Sequence, residues 1–557
     1  MKYSGAEIIV KLLEMQGVGI VTGIPGGANL PLYNALYHSK IRHVLARHEQ
    51  GAGFIAQGIA RSTGRAAVCL ATSGPGATNL LTAIADAKLD SVPIVAITGQ
   101  VSSDLIGSDA FQEVDMYGLT IPISKHNYLV NSARDLMDII PEAFRIAESN
   151  RPGPVVIDVP KDIQCDELEI KQWPLPVENH DLISLDLYKL KKIADLINSS
   201  RRPLLYIGGG VVKSEASSLL FELSRKNSIP VASTLMGLGC FPCQDPLYLG
   251  MLGMHGSRYT NYLINEADLI IALGVRFDDR VTGNLSKFCP QATIIHIDID
   301  RSEINKIKKA DISLNSDIGL VLKNLIPMVG SNRRLEWIEH INEMRQKHRF
   351  MLPDAKDTFH PINVIRAIAK LASPDTIITT DVGQHQMWVA QAYSFQRPRT
   401  LLTSGGMGTM GFGLPAAIGA ALAHPEQRII CFSGDGSILM NIQELATLAE
   451  LQLNIAIVIF NNGHLGLVRQ QQELFYDHNY IASKFDRKTD FAAIAQGFGI
   501  DSYDLSKAYE LSSVFETWLA ETGPCLIDVP IHYAENVYPM VPPGSAIDEM
   551  IGGECNV

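Results

Sequence analysis

The 557-residue chain has no apolar run approaching the ~18 residues that a membrane helix needs. It is short of positive charge: 47 Lys and Arg stand against 59 Asp and Glu, a formal net charge of −12. A surface that tracks phosphates should be basic, so neither nucleic acid nor a membrane is expected as a partner. Cysteine is sparse, eight in all, and only Cys240 and Cys243 form a Cys-x-x-Cys pair, without a second pair or a nearby histidine. That disfavours zinc and a disulfide framework, and buried thiols suit a reducing, cytoplasmic location. No signal or transit peptide is expected either. The opening MKYSGAEIIVKLLEMQGV reads as a helix with Ser4 as N-cap before Ile8, Ile9, Leu12 and Leu13.

What is present is ordinary for a large enzyme: 46% hydrophobic and 19% charged residues. At roughly 150 residues per domain, three or four domains are expected. The chain nearly repeats itself. GRAAVCLATSGPGATN (residues 64–79) resembles EQRIICFSGDGSILMN (426–441), and GPVVIDVP (153–160) resembles GPCLIDVP (523–530). The offsets are 360 for the Ser-Gly-x-Gly pair, Ser73 to Ser433, and 370 for the other, Gly153 to Gly523. Two copies of one α/β domain follow. Between them RPLLYIGGG (202–210), ADLIIALGVRFDDR (267–280) and ATIIHIDID (292–300) are buried-strand patterns alternating with helical stretches, which predicts a third parallel sheet. The expected fold class is α/β, with three doubly wound parallel-sheet domains, the first and third similar. Their spans are 1–170, 185–330 and 360–530, followed by a tail at 531–557 that could act as a lid. Linkers are expected at 171–181 and near GSNRRLEW (330–337).

One stretch carries chemistry. Residues 428–432 read as a strand, 441–452 as a helix and 454–460 as the next strand, a right-handed βαβ unit. Asp435 and Asn462, 27 positions apart, then sit at the carboxyl ends of parallel strands, where open α/β sheets bind ligands. Gly434 and Gly436 admit a phosphate, the helix start after them favours an anion, and two hard oxygens plus the carbonyl of His464 suit Mg²⁺. The stretch predicts a cradle for Mg²⁺ and a diphosphate.

GDG followed by this spacing and NN resembles the signature of thiamine-diphosphate enzymes, whose two similar halves bind the pyrimidine and the diphosphate. Over nearly the whole chain the resemblance is closest to the acetohydroxyacid (acetolactate) synthase catalytic subunits. It implies thiamine diphosphate, Mg²⁺ and FAD as cofactors. It implies decarboxylation of pyruvate and ligation of the hydroxyethyl carbanion to a second pyruvate or 2-ketobutyrate, giving 2-acetolactate or 2-aceto-2-hydroxybutyrate for branched-chain amino acid biosynthesis. By the same resemblance Glu49 shares a proton with the aminopyrimidine, Gly408 accepts from its amino group and Met410 wedges beneath the cofactor. Gly26, Gln384, His385 and Ser437 are further contacts, with Asp435, Asn462 and His464 as the metal set. Phe111 and Gln112 reach the site from the opposite subunit, while Lys161 and Arg276 meet the substrate carboxylate. Gly209, Gly210, Met254, His255, Arg276, Asp278, Asp298 and Asp300 resemble the FAD contacts, although no independent GxGxxG fingerprint is present.

One position departs from the pattern. Gln471 stands in RQQQ where the family often has Trp, next to the second ketoacid. A weaker preference for 2-ketobutyrate follows. Pyruvate oxidase, a catabolic acetolactate synthase without FAD, glyoxylate carboligase and a silent binding paralogue are the alternatives. Glu49 disfavours glyoxylate carboligase. The family further implies a homodimer at minimum and a small regulatory subunit.

Overall fold

A computed structural model describes residues 1–174, 185–507 and 510–553. Residues 175–181 of the first expected linker and 554–557 of the tail lie outside them. The opening helix forms as Gly5–Met15, with Ser4 as N-cap and a full capping box to Glu7.

Three six-stranded sheets follow, each parallel throughout. The first holds, in spatial order, Arg42–Leu45, Ile20–Gly23, Ala67–Ala71, Ile94–Gln100, Val155–Pro160 and His126–Leu129. The third holds Leu401–Leu402, Ile377–Thr380, Ile429–Gly434, Ile455–Asn461, Cys525–Pro530 and Asp501–Asp504. Numbered along the chain within each sheet, both read 2-1-3-4-6-5. The duplication read from two short matches is therefore a duplication of topology. Their central strands, such as Ile94–Gln100, Val155–Pro160, Ile429–Gly434 and Ile455–Asn461, are buried along nearly their whole length, as expected where helices cover both faces, while edge strands such as Arg42–Leu45 and Asp501–Asp504 are polar and partly exposed.

The middle sheet differs. Its spatial order is Tyr248–Met251, Val231–Ser233, Pro203–Ile207, Leu269–Leu273, Thr293–Asp298 and Ile312–Asn315, or 3-2-1-4-5-6. That is the dinucleotide-fold order, with its switch point between Pro203–Ile207 and Leu269–Leu273. The topology was not legible from a glycine fingerprint, because the chain lacks one. The region expected as a second linker is built into this unit instead. Helix Leu335–Lys347 buries Trp337, whose Nε1 donates to Pro203 O at 3.1 Å. Arg334 is buried too, satisfying the carbonyls of Asn227 and Ile197 at 2.9 and 2.7 Å.

First and third sheets meet through two helices, Glu49–Thr63 and Gly413–Ala423. The crossing is so close that a Cβ on Gly58 would lie 2.2 Å from Ala416 O, and one on Gly419 2.0 Å from Ile55 O. Glycine at both positions is the price of that approach. The described tail packs on both the third and the middle units: Val537 is buried in the third unit's core, with its N–H donating to Gln470 Oε1 at 2.9 Å, while Ile547 packs on the middle unit, where Asn261 Nδ2 donates to its carbonyl at 3.0 Å.

Candidate active site

The two motif strands are neighbours. Ile429–Gly434 pairs in register with Ile455–Asn461, so both end at the same edge. Asp435 starts a short helix, Asp435–Ile438, and Asn462 follows the second strand directly. Asp435 is buried; its Oδ2 accepts from Gly463 N at 2.6 Å and its Oδ1 from Gly436 N at 2.9 Å. Burial outweighs these bonds and pushes its carboxyl up to about 7. Asn462 is held on both sides: its Oδ1 accepts from His464 N at 3.0 Å and its Nδ2 donates to Gln384 Oε1 at 3.3 Å. Gln384 is anchored in turn, donating to Gln470 Oε1 at 3.0 Å and Glu535 O at 2.9 Å. Ser437 Oγ accepts from Gly434 N at 3.1 Å.

These residues line a pocket that also takes in Val382, His385, Met410 and Trp388. His385 leads into it from helix Gln384–Ala392 and is buried, its pKa pushed down to about 3 by burial. Its Nε2 has no partner among the described residues. A buried nitrogen in want of a partner beside a buried carboxylate fits a diphosphate and its metal ion. Among the described residues no three His, Cys, Asp or Glu side chains gather as a metal cluster. A cation here would rest on one carboxylate, one amide and a backbone carbonyl, with phosphate oxygens completing its shell, a donor set suited to Mg²⁺. Gly408 has φ 66°, in the left-handed region.

The first-sheet residues gather elsewhere. Glu49 opens helix Glu49–Thr63, and its Oε2 accepts from Asn79 Nδ2 at 2.9 Å. A Cβ on Gly76 would lie 3.3 Å from Glu49 Oε1, and one on Gly74 2.9 Å from the Cα of Gln112. Gln112 has φ 61°, and Phe111 is 88% exposed. Lys161 begins helix Lys161–Cys165 on the surface. Gly26 N donates to Asn29 Oδ1 at 2.8 Å. None of these lines the Asp435 pocket of the same chain. Gln471 is exposed on helix Gly466–Phe475, whose Val468 reaches the pocket.

At the middle sheet's switch point Gly210 packs against the opposite strand end, where a Cβ would lie 2.5 Å from the Cα of Gly274. Gly209, Arg276 and Asp278 share this edge. Arg276 Nη1 donates to Leu89 O at 2.9 Å, and burial raises the Asp278 carboxyl. Asp298 ends its strand and is pushed up to about 6 by burial. On the two strands beyond Leu269–Leu273, His296 Nδ1 within Thr293–Asp298 and Ser316 Oγ just after Ile312–Asn315 are buried with no partner among the described residues. A close glycine approach at the switch point and orphaned polar groups on the same sheet suit an adenine dinucleotide. Asp300 is already engaged, pairing with Arg151 at 3.0 Å. Met254 and His255 face the tail: Val541 N donates to Met254 O at 2.9 Å, and His255 Nδ1 lies 3.3 Å from Pro539 O.

Several positions escaped sequence reasoning: Asn79 on Glu49, Gln470 on Gln384, and Trp388 in the pocket wall. So did a clamp on the glycine-rich loop. Asp90 accepts from Gly405 N and Gly406 N at 2.9 and 2.7 Å, Asp86 from Thr409 Oγ1 at 2.8 Å, and Arg61 reaches both aspartates at 2.9 Å. The only signal was two acids four apart in the otherwise apolar LTAIADAKLD.

Known proteins match this sequence. The N-terminal TPP binding domain of thiamine pyrophosphate enzymes matches residues 3–119, their central domain 190–325 and their C-terminal TPP binding domain 381–529. Fold and site thus define a thiamine pyrophosphate enzyme. The chain is 53% identical to the acetolactate synthase isozyme 1 large subunit of Escherichia coli (strain K12), over 99% of this chain and 98% of that one. It is 44% identical to the isozyme 2 large subunit of the same organism, over 98% and 99%. It is 45% identical to the acetolactate synthase large subunit of Parasynechococcus marenigrum (strain WH8102), over 99% and 91%. The chain belongs to the acetolactate synthase large-subunit family.

Proposed function

We propose that the chain is a catalytic subunit that decarboxylates pyruvate and joins the two-carbon unit to a second pyruvate or to 2-ketobutyrate. The products are 2-acetolactate and 2-aceto-2-hydroxybutyrate, in branched-chain amino acid biosynthesis. The observation that carries this reading is the Asp435–Asn462 pair at adjacent strand ends, beside the unpartnered Nε2 of His385.

In this reading Asp435, Asn462 and the carbonyl of His464 hold Mg²⁺, while Gly434, Gly436, Ser437, Gln384 and His385 surround the diphosphate. When bound, thiamine diphosphate supplies the electron sink that lets a 2-ketoacid lose CO₂. Glu49 would hold a proton for a cofactor ring nitrogen, the acid–base role of a carboxyl there. Gly408 would offer its carbonyl, and Met410, in the pocket wall, would orient the cofactor. Arg276 and Lys161 meet substrate carboxylates, Arg276 through its planar fork. Phe111 and Gln112 cover the substrate side. Gly209, Gly210, Met254, His255, Asp278, Asp298 and Asp300 belong to the FAD region. FAD is structural here, because the net reaction moves no electrons.

Glu49, Gln112 and Phe111 lie outside the pocket of their own chain, which supports a site completed by a second copy and hence a homodimer. The relatives are named large subunits, which supports a small partner subunit. Among the described residues no helix is long and apolar enough to cross a membrane, and the seven described cysteines are free, in keeping with a cytoplasmic enzyme.

The test incubates the purified chain with pyruvate, thiamine diphosphate, Mg²⁺ and FAD, without an electron acceptor. Acetolactate should accumulate. Acetate or acetyl phosphate, formed only once an acceptor or phosphate is added, would overturn the reading in favour of an oxidase.

A further inference from the structure

We propose that Glu444, which lies outside the cofactor pocket, is a positioning residue for Glu49. The proposal rests on the reading of Glu49 as the group that exchanges a proton with the cofactor.

Helix Glu49–Thr63 begins at Glu49 itself, so the direction of Glu49 depends on how the chain enters its first turn. First-turn N–H groups have no partner within a helix. His48 satisfies one, its Nδ1 accepting from Gln50 N at 3.1 Å. The two peptide groups just upstream are held from another part of the fold. Arg47 N and His48 N both donate to Glu444 Oε1, at 2.9 and 3.1 Å. The second oxygen, Oε2, accepts from Thr447 Oγ1 at 2.7 Å. One carboxylate thus grips two consecutive peptide N–H groups and is itself locked at its far side. Glu444 is 0% exposed; burial raises its carboxyl, while these bonds oppose that rise.

Gly51 is shaped to the same contact. It occupies the first turn of the helix, where glycine has a poor propensity. A Cβ there would lie 2.5 Å from Glu444 Oε1. The small residue makes room for the carboxylate. Nearby, Asn441 Nδ2 donates to Gln50 Oε1 at 3.1 Å and to Gly411 O at 2.8 Å. The residue beside Glu49 is thereby tied to the glycine-rich loop that carries Met410. Glu444 lies nine positions after Asp435 but grips the helix of Glu49, which does not line the Asp435 pocket of the same chain.

The test uses the full chain with thiamine diphosphate and Mg²⁺ in D₂O, and follows exchange of the thiazolium C2 hydrogen by acid quench and NMR. Cofactor affinity and thermal midpoint are measured alongside. Glu444→Ala should slow exchange by about tenfold or more, the scale expected for a misplaced catalytic group, with cofactor affinity unchanged. Glu444→Gln keeps an acceptor for both N–H groups and a donor for Thr447, so exchange should recover to near the native rate. Gly51→Ala reaches the same carboxylate from the other side. By displacing it the new Cβ should slow exchange as Glu444→Ala does, and should lower the thermal midpoint as well, because the N–H groups of Arg47 and His48 lose their acceptor. Glu49→Gln is the control and should abolish exchange. Native exchange in both Glu444→Ala and Gly51→Ala, with exchange lost in Glu49→Gln, would overturn the proposal. So would Glu444→Gln exchanging as slowly as Glu444→Ala. Native exchange in Glu49→Gln would instead overturn the reading of Glu49 on which the proposal rests.

Discussion

Replacing Arg61 by Met should unfasten the glycine-rich loop, and the loss should depend on pH. Among the described residues Arg61 is the one cation that hydrogen-bonds both Asp86 and Asp90, at 2.9 Å each, and both aspartate side chains are 0% exposed. Met keeps a flexible apolar arm near Phe412, over whose ring the guanidinium now sits at 4.9 Å. The two acids are left buried without their countercharge. Removing one partner of a buried pair costs about 3–5 kcal/mol. In the native chain burial pushes Asp90 up, but Arg61 and the N–H groups of Gly405 and Gly406 outweigh it and hold its carboxyl below the usual range. Asp86 is raised by burial, with the Asp90 charge adding to the rise. Lys213 also faces this cluster and is pushed down to about 8, chiefly by burial.

The native Asp90 term is present above its unfolded pKa and fades as pH falls. In the variant both acids titrate above their unfolded values, so their burial is tolerated at low pH and is lost as pH rises. The gap between native and variant stability therefore widens with pH. At about 1.4 kcal/mol per pH unit for one proton, the deficit should shrink by up to about 3 kcal/mol between pH 7.5 and 5.5, a window below the value of about 8 to which Lys213 is pushed. Urea midpoints read by tryptophan fluorescence would measure it, with proteolysis at residues 404–409 reporting the loop. A deficit below about 1 kcal/mol, the range of exposed pairs, or one independent of pH would refute the reasoning.

Asp435→Ala should abolish the Mg²⁺ dependence of cofactor binding while leaving the apo fold intact; calorimetry with and without the metal checks this. Glu49→Gln should lower acetolactate formation about 10²–10⁴-fold, the range for a lost general acid–base group, with thiamine diphosphate still bound. Gln471→Trp should shift a pyruvate/2-ketobutyrate competition toward 2-ketobutyrate by about tenfold, since one methylene in a shaped apolar pocket is worth about 1–3 kcal/mol. An unchanged product ratio would show that position 471 does not touch the second substrate.

Much of this was legible in the sequence. Strands such as NIAIVIF and RIICF are buried on both faces, and their unbroken apolar runs mark a parallel sheet. GDG and NN could be placed because each ends such a run. What escaped was tertiary. Trp337 looks like a linker residue in GSNRRLEW, but the groove over Pro203 that receives it comes from far along the chain. Strand order cannot be read from strand patterns, so the middle sheet's 3-2-1-4-5-6 order stayed hidden without a glycine fingerprint. Glu444 and Asp90 are polar positions in helical stretches, and their partners lie hundreds of residues away, at Arg47 and Gly405. The motif residues were visible, but the residues that aim them were not.

In the proposed homodimer a working site takes Glu49 from one chain and Asp435 with Asn462 from the other. Subunit complementation tests it most directly. A Glu49→Gln chain and an Asp435→Ala chain, each inactive alone, are co-expressed and the mixed dimer is isolated by differential tags. In that dimer one site carries both defects and the other carries neither. The mixed dimer should make acetolactate at roughly half the native rate, as a two-fold assembly with shared sites requires. A mixed dimer as inactive as its parents would place Glu49 and Asp435 in the same site of the same chain and contradict the account.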